Sequence, residues 1–121
     1  LPWLNYLLPN APDDYYGGFA WFDIAGDSVP GVQRSRALLF GLLDTLRAKG
    51  WPTEQTIIGG FSQGGLMAIE VGLRYPHKFA GVMSISGMVS HWPIKKPERT
   101  ANSASWASGS RKYSTVKRAR P

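Results

Sequence analysis

The sequence predicts an α/β fold in which a parallel sheet is flanked by helices. Three observations lead there. Apolar runs alternate with helical periods along the chain, each apolar run is continuous instead of alternating with polar residues, and the middle run passes into a helix through a cluster of glycines. Continuous apolar strands belong to parallel sheets covered on both faces, because neither side of such a strand tolerates water. A length of 121 residues allows one such core and no more.

Trp3 to Leu8 is a short aromatic and aliphatic run closed by Pro9, Asn10 and Pro12, which predicts a buried strand emptying into a loop. The loop is long. It carries Asp13, Asp14, the Gly17-Gly18 pair and the cluster Trp21-Phe22-Asp23 before a helix begins at Asp27 or Ser28. In that helix Leu38, Leu39, Leu42, Leu43 and Leu46 recur at helical spacings, leaving Arg36, Asp44 and Arg47 for the wet side, and Gly50 and Pro52 end it. Thr56 to Phe61 is the second predicted strand. A helix from about Gly64 to Tyr75 follows, apolar on most faces and stopped by Pro76, and Phe79 to Ser86 is the third strand, closed by Gly87.

Charge separates the chain at Trp92. Up to that residue six basic side chains face seven acidic ones; from Pro93 to Pro121 eight basic side chains face only Glu98. The basic excess therefore belongs to one end and carries no information about what the body binds. Ile94, Trp106, Tyr113 and Val116 are isolated within this end and follow no period, so residues 93–121 are expected to form a disordered tail. There is no cysteine, which removes disulfides and thiolate metal sites. No run reaches the roughly 20 apolar residues of a membrane span, and a cytoplasmic setting is expected. The chain starts at Leu1, directly in an apolar segment, so an upstream portion is expected to be missing.

Gly60-Phe61-Ser62-Gln63-Gly64 is a G-x-S-x-G pentapeptide placed between the end of an apolar strand and the start of a buried helix. A strand that reverses into a helix within one residue strains that residue and brings neighbouring backbone close, so glycines two before and two after remove side chains that would clash. Ser62 would then present its hydroxyl at a helix N-terminus, where the Gln63 backbone N–H can stabilise a developing oxyanion. A glycine-rich packing turn would use the same residues. A dinucleotide-type phosphate loop would need G-x-G-x-x-G, which is absent here.

Ile58-Gly59-Gly60-Phe61-Ser62-Gln63-Gly64-Gly65, then Ala68, then Phe79-Ala80-Gly81-Val82 with Ser84, Ser86 and Gly87, closely resembles the phospholipase/carboxylesterase family that includes acyl-protein thioesterases. Upstream, Leu8-Pro9-Asn10-Ala11-Pro12 and Trp21-Phe22-Asp23 resemble that family's loop after its fourth strand and its aromatic-acidic segment near the pocket. The resemblance covers about residues 4–87. It implies a partial α/β-hydrolase fold, incomplete at both ends, with a core over residues 1–92 and the basic tail over 93–121. It implies further that Ser62 is the nucleophile of a serine hydrolase acting on small carboxylic esters or thioesters, with Trp21 and Asp23 as candidate pocket residues and neither cofactor nor metal.

The family completes its triad in the order Ser, Asp, His, and that order cannot be completed here. No aspartate follows Ser62, and the only histidines are His77 and His91. His77 belongs at the sheet edge opposite the nucleophile, as a solvated loop residue. His91 lies on the correct edge, but the family takes its base from a loop after its last strand, so His91 is expected to be a loop residue rather than the base. The resemblance also places the second oxyanion donor, and a strand lying between Trp3–Leu8 and Thr56–Phe61, upstream of this chain. The expectation is a nearly inert chain in which either those two runs pair directly or two sheet edges stay open, with self-association as the result. The tail is expected to be an out-of-frame stretch, since composition and resemblance change together near Trp92. The alternative is a non-catalytic module whose basic tail binds anions such as nucleic acid or anionic lipid.

Overall fold

A computed structural model describes residues 3–87. The elements are β1 (Asp13–Tyr15), β2 (Gly18–Ala20), α1 (Ser28–Ala48), a 3-10 turn (Thr53–Gln55), β3 (Ile57–Phe61), α2 (Gln63–Arg74) and β4 (Gly81–Ile85). β3 and β4 pair in parallel, with Ile57 opposite Gly81 and Phe61 opposite Ile85, so β3, α2 and β4 form a βαβ unit of the α/β class. Each boundary has a local cause. The Asp27 carboxylate accepts from the Val29 N–H at 3.0 Å and caps α1. Gly50 ends that helix at a φ of 89°, a conformation glycine adopts without steric cost.

The core gathers Phe22, Val32, Leu39, Leu43, Met67, Val71 and Tyr75, with Ile58 and Phe79 packed against it from the strand side. Both helices lie on one face of the sheet. Gly72 of α2 abuts Val82, where an added Cβ would stand 2.5 Å from a valine methyl, so helix and strand approach as closely as their backbones permit. Tyr75 ends α2 with its ring 1 % exposed, and its hydroxyl donates to Asp44 of α1 at 2.6 Å. Burial first, then the Asp44 carboxylate, push the Tyr75 hydroxyl up to about 12.

Four expectations change. Trp3 to Leu8 is not a buried strand: it forms no ladder, and Trp3 and Leu8 are 71 % and 89 % exposed. A strand exists only where another backbone takes its hydrogen bonds, and the nearest candidate, the outer edge of β3, stands across an open cleft. Among the described residues the sheet is covered on one face, not two. The other face leaves Ile57 and Phe61 68 % and 69 % exposed, with Met83 and Ile85 beside them. The long loop after Pro12 contains a hairpin, β1 paired antiparallel with β2 through Tyr16 and Gly17, both at positive φ as a two-residue turn requires. Finally, the polar side of α1 is only partly wet: Asp44 is exposed, but Arg36 and Arg47 are half-buried and all three are tied to neighbouring elements. Arg36 reaches Glu70 of α2 at 2.6 Å, Arg74 meets the same carboxylate at 2.6 Å, Asp44 takes the Tyr75 hydroxyl, and Arg47 donates to Thr53 at 3.2 Å.

Of the two outcomes expected for Trp3–Leu8 and β3, direct pairing does not occur. Among the described residues the outer edge of β3 has no partner strand. The predicted tail, 93–121, lies outside the described residues.

Candidate active site

At the C-terminal end of β3 the chain turns into α2 through one residue. Ser62 has φ 53° and ψ −116°, a conformation rarely tolerated by a residue with a side chain, and its N–H still donates to the Ile85 carbonyl at 2.9 Å. Its carbonyl accepts the Leu66 N–H at 3.1 Å, the first bond of the helix. The hydroxyl makes no capping bond, so it is not tied to the helix it precedes, and Ser62 lines the cleft half-buried. Gln63 is the first helical residue. Its N–H belongs to the turn that has no intrahelical acceptor and carries the positive end of the helix dipole.

The glycines around Ser62 divide the work differently from the pentapeptide pattern. A Cβ on Gly60 would lie 2.2 Å from the Gly64 carbonyl carbon, so no other residue fits there. A Cβ on Gly64 would meet only the Trp21 indole nitrogen, at 3.9 Å. Gly64 thus contributes its backbone, pressed against Gly60, and its own Cα faces open space. The second position that excludes a side chain is Gly65, where a Cβ would stand 2.7 Å from Ser84 Oγ and 3.1 Å from the Gly60 carbonyl oxygen. The paired Gly64-Gly65 in the sequence was the signal for it.

A cleft of about 850 Å³ opens in front of Ser62. One wall is β3 itself, another is Leu39, Leu42, Leu43 and Leu46 of α1, and the third is the extended stretch from Asn5 to Pro9. Trp21 lines it; Asp23 does not. The Asp23 carboxylate turns back to accept the Ala25 N–H at 2.8 Å, so it shapes its own loop. His77 sits between α2 and β4 with its ring 5.7 Å from that of Tyr75, at the end of the sheet opposite Ser62. Five residues of parallel strand separate the two ends by about 16 Å, far beyond proton-transfer distance. His91 lies outside the described residues. Among the described residues no three His, Cys, Asp or Glu side chains cluster as a metal site would require, and no helix is long and apolar enough to cross a membrane.

The sequence role given to Gln63 was its backbone N–H, and the structure adds its side chain. Its Oε1 accepts the Trp21 N–H at 2.8 Å and its Nε2 donates to the Phe22 carbonyl at 3.0 Å, contacts across more than forty residues of sequence. Ser35 of α1, fully buried, donates to the Trp21 carbonyl at 2.5 Å. No local pattern announces these bonds.

The family model for phospholipases/carboxylesterases matches residues 1–106, carrying the likeness past Trp92 into the first part of the basic stretch. Acyl-protein thioesterase 1 of Schizosaccharomyces pombe is 32 % identical over 98 residues, 71 % of this chain and 44 % of its own length. The protein of that name from Saccharomyces cerevisiae is 34 % identical over 102 residues, and that from Eremothecium gossypii 30 % over 110. The chain spans less than half the length of these relatives. With a parallel βαβ unit, a serine at its strand-to-helix turn and a family match over most of its residues, the chain belongs to the phospholipase/carboxylesterase family of α/β-hydrolases.

Proposed function

We propose that this chain carries the nucleophile region of a hydrolase for carboxylic esters or thioesters, with Ser62 as the attacking group and the Gln63 N–H as an oxyanion donor. The observation that carries the reading is the backbone at Ser62: a strained turn with an uncommitted hydroxyl at a helix N-terminus, facing a cleft with mostly apolar walls. A cleft of this volume and lining suits an acyl chain. The relatives' name, acyl-protein thioesterase, supports the same substrate class.

By itself the chain turns over ester at close to the background rate. Attack by a serine hydroxyl requires a base to take its proton, and His77 stands at the wrong end of the sheet while no aspartate follows Ser62 to orient any other histidine. Geometry and reactivity are therefore separate quantities here, and one experiment measures both. A fluorophosphonate probe labels Ser62 of the isolated chain no faster than a surface serine. When residues 57–74 replace the matching stretch of the S. pombe thioesterase, the chimera retains thioester hydrolysis and loses at least ~10³-fold on Ser62→Ala. A chimera indifferent to that substitution defeats the assignment of Ser62, and rapid labelling of the isolated chain defeats the claim of inertness.

A further inference from the structure

Trp21 and Phe22 lie just beyond the end of β2 and before α1, in neither a strand nor a helix, so their peptide groups have no ladder to satisfy them. Three side-chain bonds serve three of these four groups instead: the Trp21 N–H donates to Gln63 Oε1, Gln63 Nε2 donates to the Phe22 carbonyl, and Ser35 Oγ donates to the Trp21 carbonyl. The carboxamide has one acceptor and one donor end, and both are used on adjacent residues. That pairing fixes the direction of the segment as well as its position. Phe22 is anchored below, in the core, where its Cβ sits so close to α1 that a Cβ on Gly31 would lie 2.8 Å away. Trp21 points the other way, lining the cleft with its indole nitrogen 3.9 Å from where a Gly64 Cβ would stand.

We infer that the Gln63 side chain is a positioning residue that clamps the Trp21–Phe22 segment so that the Trp21 indole forms a fixed wall of the acyl cleft beside Ser62. Gln63 then links the two halves of the site. Its main chain faces the reacting centre and its carboxamide sets the width of the cleft where the acyl group enters. The inference rests on the acyl-cleft reading for its ligand, but the clamp itself is a statement about Trp21.

The test uses the full chain and three readouts: hydrogen exchange at the Trp21 amide, the NMR resonance of the Trp21 indole N–H assigned with Trp21→Phe, and binding of decanoate at pH 7. Gln63→Met keeps the length and the helix propensity but removes both bonds. It is expected to speed exchange at Trp21 about tenfold, to shift the indole resonance and to weaken decanoate several-fold, with the Val71 amide unchanged. Gln63→Glu supplies a rescue. Ionised at pH 7 it repels the Phe22 carbonyl and behaves as Gln63→Met does. Protonated below about pH 4 it again offers one donor and one acceptor, and Trp21 protection returns relative to wild type at the same pH.

Unchanged Trp21 exchange and indole resonance in Gln63→Met overturn the clamp, as does Gln63→Glu with no pH-dependent recovery. If Gln63→Met does not fold, the pH response of Gln63→Glu decides alone. Failure of decanoate to bind the wild-type chain, with both Trp21 readouts moving as expected, removes the acyl-cleft reading and leaves the clamp standing.

Discussion

Two apolar runs of this chain look alike on paper, Trp3–Leu8 and Ile57–Phe61, and they end in opposite states. Ile57–Phe61 is β3, paired residue by residue with β4 and backed by α2. Trp3–Leu8 is extended, unpaired and largely exposed, and its last residues form a wall of the cleft instead of a strand of the sheet. Composition cannot separate them, because what differs is the partner. β3 finds β4 within 30 residues of sequence, joined by a helix whose own apolar face must be buried against the same pair. Among the described residues no strand pairs with the N-terminal run, and desolvating its side chains without such a partner would strand polar groups. A short apolar run thus predicts a strand only on condition of a neighbour.

Substitutions sharpen that contrast. The largest effect is expected in the β3–α2 turn. Gly60→Ala drives a methyl into Gly64 backbone that cannot yield, and should cost about 3–5 kcal/mol in urea unfolding, whereas Gly64→Ala, facing open space, should stay within about 1 kcal/mol. Equal costs at the two positions would mean that the turn is not held in the geometry described.

A middling effect is expected at the seam between the helices. Tyr75→Phe keeps the buried ring and loses the bond to Asp44, for about 1 kcal/mol. The pH dependence carries a definite sign. The folded hydroxyl is pushed up to about 12 from the ordinary tyrosine value of 10.0 that the unfolded chain keeps, so folding favours the protonated form. That contribution is complete below pH 10 and is lost as pH rises through 12. Tyr75→Phe should abolish this alkaline component, and a wild-type stability curve flat between those limits would contradict the burial of the hydroxyl.

The smallest effect belongs to the N-terminal run. Leu8→Ser should change stability by less than about 0.5 kcal/mol, against about 2 kcal/mol for Val71→Ala in the core. A large loss at Leu8 would restore the buried strand that the sequence suggested and break the comparison.

Much of this was readable from local patterns. The Asp27 cap, the Gly50 stop, both long helices, the parallel pair and the turn at Ser62 each follow from residues within a few positions of one another, where propensity and steric exclusion act. The hairpin at Tyr15-Tyr16-Gly17-Gly18 was missed because no alternating run flanks its glycines, leaving only the turn itself as a signal. In the site, Ser62 and Gly60 were legible from the pentapeptide. Asp23 was placed near the pocket by the resemblance of Trp21-Phe22-Asp23 to the family's aromatic-acidic segment, yet it does not line the cleft, and its carboxylate is taken by the Ala25 N–H.

By itself, then, the sequence determined the class of fold, the succession of elements from α1 to β4, the family and the place of the serine, because those depend on spacing along the chain. Tertiary structure decided which apolar run becomes a strand, which face of the sheet is covered, where the charged side of α1 goes, and that Gln63 holds Trp21. Most of those rest on distant partners, Gln63 with Trp21, Arg36 with Glu70 and Asp44 with Tyr75, and a hydrogen bond or a buried contact is specified by both of its ends, of which local sequence supplies one.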